Sequence, residues 1–330
     1  MRVLFFLLCF FLITCPARSQ SSSLSQIDAI RLSEAYSLSE HIGESIWKGW
    51  PDVPFAILLL ISEKDYLIGH PDPSKDFASE GVDHRIGKEV FSRARTEGWS
   101  LNLLATFPAV GGLPTVVIGQ PEATGKSSTQ WVLTLLHEHF HQYQMGWDSY
   151  YSDVDALDLS GGDESGMWML NYPFPYSDTG VNSSVLRLGR AIEANLDGES
   201  GLENIIADLE DLRSRISEKD YRYFSFQLWQ EGVARYTELM VAGVARKGFE
   251  SSPEFESLDD AISFELAFEE LLKDRAREMR SMDLGNQGRT VFYALGSSLA
   301  MVLDRVEPDW RDDYFNYAFD LAGFVASGRK

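Results

Sequence analysis

The sequence is poor in cysteine, and no histidine follows position 141. Its two cysteines, Cys9 and Cys15, both fall in an N-terminal stretch that reads as a leader. A chain without that leader has no cysteine, which excludes a disulfide scaffold, a cysteine nucleophile and thiolate metal ligands. Histidine is limited to His41, His70, His84, His137, His139 and His141. No apolar run is long enough to span a bilayer, so a stable membrane span is not expected. Positive charge is also scarce: 29 Lys and Arg stand against 50 Asp and Glu, a formal net charge of −21. Loss of Arg2 and Arg18 with the leader takes this to −23. Such a surface repels nucleic acid and anionic lipid, and serves solubility. Internal repeats and long low-complexity stretches are absent.

The leader has a positive charge at Arg2, an apolar run over residues 3–14, and small residues at Ala17 and Ser19. This predicts a signal peptide over residues 1–19 and a secreted or periplasmic protein. Leu12-Ile13-Thr14-Cys15 loosely resembles a lipobox, which makes lipoprotein anchoring at Cys15 a second reading. Asn182-Ser183-Ser184 is a glycosylation sequon, meaningful only in a eukaryotic chain.

Hydrophobic periodicity divides the remainder in two. Residues 27–47 repeat at helical spacing, and Pro51 and Pro54 close that helix. Strands are predicted over residues 55–61, 66–69, 101–107 and 113–119. A helix then starts at the N-cap Ser127 or Ser128 and stops at Gly146. Residues 153–176 read as irregular. Helices follow over 185–196, 202–217, 221–246, 264–282 and 290–306. The expected class is α+β. A mixed α/β lobe (residues 20–146), with a small antiparallel-edged sheet, ends in the active-site helix; a helical lobe (147–330) follows, with a cleft between them.

The chemistry gathers at His137-Glu138-His139-Phe140-His141. Two histidines four apart project from one helix face, one turn apart, and both can reach a single zinc ion. Glu138 lies about a hundred degrees further round. There it can take a proton from a zinc-bound water, acting as general base without being a ligand. His139 points nearly opposite and reads as a packing residue. The competing reading is a helix with fortuitous histidines.

Zinc needs a third protein ligand. A metzincin would have Gly at position 144 and His at position 147, where this chain has Gln144 and Trp147. A downstream carboxylate remains, and two are candidates. Glu231 stands in Leu228-Trp229-Gln230-Glu231-Gly232-Val233-Ala234-Arg235-Tyr236-Thr237-Glu238, and Glu164 in Gly161-Gly162-Asp163-Glu164-Ser165-Gly166.

On the paired-histidine helix and the later Glu-Gly-x-Ala segment, the chain resembles the gluzincin superfamily of zinc metallopeptidases. The resemblance covers two segments, about residues 131–144 and 229–238. It implies a zincin-like fold, His137, His141 and Glu231 as zinc ligands, Glu138 as base, and a peptide or protein substrate. The gap from His141 to Glu231 exceeds that of the thermolysin-like pattern, which keeps Glu164 open. Small residues beside Glu231 would let its helix approach the histidine helix closely, whereas an ordinary surface glutamate would pair with Arg235 at i,i+4.

Glu238, two turns on, could accept a hydrogen bond from a ligating histidine. Gln144 is placed to line the cleft. Tyr236 and Tyr293 are candidate oxyanion donors, each with a core role as the alternative. The strand at 113–119 suggests edge pairing with an extended peptide.

Residues 119–127 imitate a phosphate-binding loop, but five residues separate its glycines where four are needed. Asp153, Asp155, Asp158, Asp163 and Glu164 lack the spacing of a calcium loop and read as a solvated segment. Two alternatives to a peptidase stay open: an inactive zincin-fold binding or scaffold protein, and a zinc hydrolase of a non-peptide bond.

Overall fold

The computed structural model describes residues 23–95 and 98–327. The expected signal peptide, with Cys9 and Cys15, lies outside the described residues. The chain is a mixed α/β structure in which one six-stranded sheet is followed by a largely helical remainder.

The N-terminal helix Gln26–Ile46 is capped by Ser25, whose hydroxyl accepts from the Asp28 amide. Strands β1 (Ile57–Leu60) and β2 (Lys64–Ile68) form a hairpin. Next come β3 (Ala78–Asp83), β4 (Lys88–Ala94), β5 (Leu104–Val110) and β6 (Leu113–Gly119). The sheet order is β3-β4-β2-β1-β6-β5, antiparallel except for the β1–β6 pair. Every residue of β1 is buried, as expected of a central strand covered on both faces. Alternation sorts its side chains. Ile57 and Leu59 join the main core under the helices, while Leu58 and Leu60 join a smaller cluster with Leu67, Phe77, Val110 and Val117.

The β3–β4 hairpin was not anticipated. No residue of β3 is buried and, in β4, Val90 and Ser92 alone are, so charged and small residues break up the apolar alternation that marks a strand. The expectation for residues 113–119 also needs correction. Strand β6 has neighbours on both sides, β1 and β5, and has no open edge; the edge strands of the described sheet are β3 and β5.

The motif helix Ser128–Met145 begins in a capping box. Ser127 accepts from the Gln130 amide, and Gln130 reaches back to the Ser127 amide. Trp131, Val132, Leu135, Leu136 and Phe140 are buried round it, so the helix is enclosed rather than laid on a surface. It packs on the N-terminal helix, on β5 and β6, and on a later helix, Val233–Gly248. One apolar core runs from the sheet through these elements to the helices Thr179–Leu196, Leu202–Arg215, Glu218–Gln227 and Val291–Val306.

The single helix expected over 221–246 is interrupted. Between Gln227 and Val233 the turn Leu228–Gly232 is π-helical, a wide turn that recurs at functional sites. Residues 153–176, read as irregular, include the helical turn Tyr150–Ala156 and the short helix Trp168–Asn171. The Asn182 sequon lies on a helix, where the Asn182 side-chain Oδ1 accepts from the Leu284 amide. No helix among the described residues is long and apolar enough to cross a membrane.

Candidate metal centre

His137 and His141 lie on one face of the motif helix, ring centroids 5.0 Å apart. The π-helical turn brings Glu231 to them. Its Oε2 is 3.5 Å from His141 Nε2, and one ligand atom from each of the three residues falls within 4.8 Å of the others. Two imidazole nitrogens and one carboxylate oxygen at this separation can hold a metal ion, and the donor set suits zinc. Both histidines are buried, and the Glu231 side chain is 16% exposed. Glu164 is exposed on its loop and takes no part in this group.

The electrostatics follow from this convergence. Burial pushes the His141 imidazolium down, but Glu231 and then Glu138 outweigh it and raise the group to about 9. Burial pushes Glu231 up, yet His141, His137 and Arg289 lower its carboxyl to about 2. Arg289 Nη1 is 3.7 Å from Glu231 Oε1 and donates to the Tyr293 hydroxyl at 2.7 Å. Burial first, and Glu231 second, hold the Tyr293 hydroxyl well above the ordinary tyrosine range. Tyr293 therefore lies beside Glu231 and Arg289.

Tyr236 is placed elsewhere. Its hydroxyl donates to Asp304, its ring packs against Trp47 and Trp310, and it is fully buried. That hydroxyl is committed inside the core, so the expected oxyanion role is corrected to a packing one.

Arg235 pairs with Glu238 at 2.7 Å rather than with Glu231. Glu238 Oε2 is in turn 3.7 Å from His137 Nδ1, an ion-pair distance beyond a hydrogen bond. The Val233–Gly248 helix packs on the histidine helix as expected, and Gly232 serves a further close approach. A Cβ on Gly232 would lie 2.5 Å from Gly296 Cα, and one on Gly296 would lie 2.7 Å from Gly232 Cα. The Gly232 approach is to the Val291–Val306 helix, which carries Tyr293.

Two contributors were missed in the sequence, and a third was given another place. Thr106 on β5 places its hydroxyl 2.8 Å from Glu138 Oε2 and 2.9 Å from the Glu138 carbonyl. Arg289 comes from a short 3-10 turn, Gly288–Thr290. Gln144, expected to line the cleft, is fully buried, and its Oε1 is 2.7 Å from His141 Nδ1. Neither Thr106 nor Arg289 stands near the motif in a recognisable pattern. The Gln144 side chain lies three residues after His141, the one spacing that could have signalled it.

Comparison of the chain with protein-family models, with curated proteins and with solved structures finds no match.

Proposed function

We propose that this protein is a secreted or periplasmic zinc-dependent metallopeptidase of gluzincin type with a zincin-like fold. The observation that carries the reading is the convergence of His137, His141 and Glu231, with a carboxylate on the intervening residue of the same helix. A zinc ion held by these three would act as a Lewis acid and lower the pKa of its water to about 7.

The chain's own groups take the remaining roles. Glu138 is buried beside the ligands, and its carboxylate accepts the proton as general base. Thr106 holds that carboxylate through Oε2. Arg289 and the Tyr293 hydroxyl lie next to Glu231 and oppose negative charge developing on a substrate carbonyl oxygen. An extended peptide suits this setting, since among the described residues β5, the strand that carries Thr106, pairs with β6 alone and lies at the sheet edge. Unpaired main-chain groups there favour a strand-like substrate, which weighs the reading toward peptides over other hydrolysable bonds.

The test is hydrolysis of a mixed peptide library by the zinc-loaded protein and by Glu138→Gln. The substitution is expected to lower turnover by about a hundred- to ten-thousandfold with zinc retained. Full zinc occupancy without peptide cleavage by the unmodified protein would overturn the peptidase reading, in favour of a binding protein or a hydrolase of another bond.

A further inference from the structure

The His141 ligand and the Glu231 ligand sit on different elements, and one side chain touches both elements. Gln144 accepts at Oε1 from His141 Nδ1 at 2.7 Å. At its other end, Nε2 lies 3.1 Å from the Trp229 carbonyl, 3.1 Å from the Gln230 carbonyl and 2.7 Å from the Tyr314 hydroxyl. The Tyr314 hydroxyl donates to the Trp229 carbonyl at 3.0 Å, so it is an acceptor toward Gln144.

These contacts fix the amide. A carboxamide nitrogen has two hydrogens and no acceptor capacity, and every group facing it is an acceptor. Reversing the amide would set an oxygen against two carbonyls. Oε1 must then face His141, and a 2.7 Å contact from a carbonyl oxygen requires the hydrogen on Nδ1. In the neutral ring, the form in which a histidine ligates a metal, that leaves the lone pair on Nε2, the nitrogen beside Glu231. Gln230, whose amide nitrogen is 3.1 Å from the same Nδ1, can adapt. Its oxygen meets the Tyr150 hydroxyl at 3.0 Å, and a hydroxyl both donates and accepts.

The second half of the contact concerns the backbone. The π-helical turn replaces the regular i→i−4 ladder over Leu228–Gly232. Gln144 donates to two of its carbonyls, at Trp229 and Gln230, immediately before Glu231.

Resting on the metal reading above, we propose that Gln144 is the positioning residue of this centre. It fixes His141 in the tautomer that ligates through Nε2, and it pins the turn that presents Glu231. The chain carries a built-in comparison. Gln142 accepts from His139 Nδ1 at 2.9 Å and donates to the Ala56 and Pro114 carbonyls, the same arrangement on the opposite side of the helix with no metal ligand attached.

The experiment is zinc affinity by chelator competition, with the visible spectrum of the cobalt-substituted protein, for the full chain, Gln144→Met and Gln142→Met. Loss of an outer-sphere partner costs about ten- to a hundredfold in metal affinity. That loss, with an altered cobalt spectrum, is expected for Gln144→Met alone. Equal affinities and spectra for a folded Gln144→Met and the unmodified chain would overturn the proposal. So would equal losses in both variants, which mark a structural role only. Failure of the unmodified chain to bind zinc would instead overturn the metal reading, and this proposal with it. If Gln144→Met does not fold, long-range proton–nitrogen NMR of the zinc-loaded chain decides. A solvent-protected hydrogen on His141 Nδ1 supports the proposal, and ligation through Nδ1 overturns it.

Discussion

His139 and His141 stand two positions apart on one helix, and the two sides of that helix treat the same imidazole in opposite ways. Each ring is held at Nδ1 by a glutamine three residues on. What meets the rest of the ring differs. His139 stacks on Phe55, centroids 4.0 Å apart, and on Trp50 at 5.3 Å. Burial among those rings, only partly opposed by Gln142, lowers it to about 3. His141 meets Glu231 and is raised to about 9. The lesson is that an identical side chain becomes packing or chemistry according to whether a carboxylate reaches it.

Removing each ring in turn tests the difference between the two histidines. His141→Ala is expected to weaken zinc binding by more than about a hundredfold, because it deletes one of three ligands. His139→Phe keeps an aromatic ring between Phe55 and Trp50 and is expected to leave affinity within about twofold. Chelator competition checks both, and similar losses in the two variants would end the distinction.

A second effect is in pH. Metal-free His141 keeps its proton up to about 9, and zinc must displace that proton. Zinc affinity is therefore expected to rise about tenfold per pH unit through neutral pH and to flatten above pH 9. Titration calorimetry in buffers of different ionisation enthalpy reads the released proton directly, and no proton release at pH 7.5 would contradict the assignment.

The smallest effect belongs to His139. Its folded value, about 3, lies below the ordinary 6.5, so the unfolded chain binds the proton first as pH falls. The stability tied to its neutral form is complete above pH 6.5 and lost progressively down to pH 3, at most about 1.4 kcal/mol per pH unit. Thermal unfolding at pH 7.5 and pH 4.5 is expected to show a smaller acid loss in His139→Phe than in the unmodified chain. Equal losses would show that His139 does not couple to folding.

Much of this architecture was legible in the sequence. Apolar runs marked β1 and β6 because buried central strands carry side chains to both faces, and Ser127 with Gly146 bounded the motif helix. The paired histidines were readable because helical spacing alone puts them on one face. The Glu231 segment was legible only as a motif; its π-helical turn depends on contacts with Gln144 that no local pattern encodes. The same limit hid Thr106, which meets Glu138 from a strand 32 residues earlier, and Arg289. Tyr236 and Tyr293 looked alike in sequence. They separate only because Asp304 takes one hydroxyl into the core while Arg289 and Glu231 hold the other at the site.

Zinc content by elemental mass spectrometry tests most directly whether the motif helix and the π-helical turn build one metal centre. The protein and its folded His141→Ala, Glu231→Ala and Glu164→Ala variants would be compared. About one zinc per chain is expected, lost in His141→Ala and Glu231→Ala and kept in Glu164→Ala. Zinc lost in Glu164→Ala but kept in Glu231→Ala, or no zinc taken up by the unmodified chain, would contradict it.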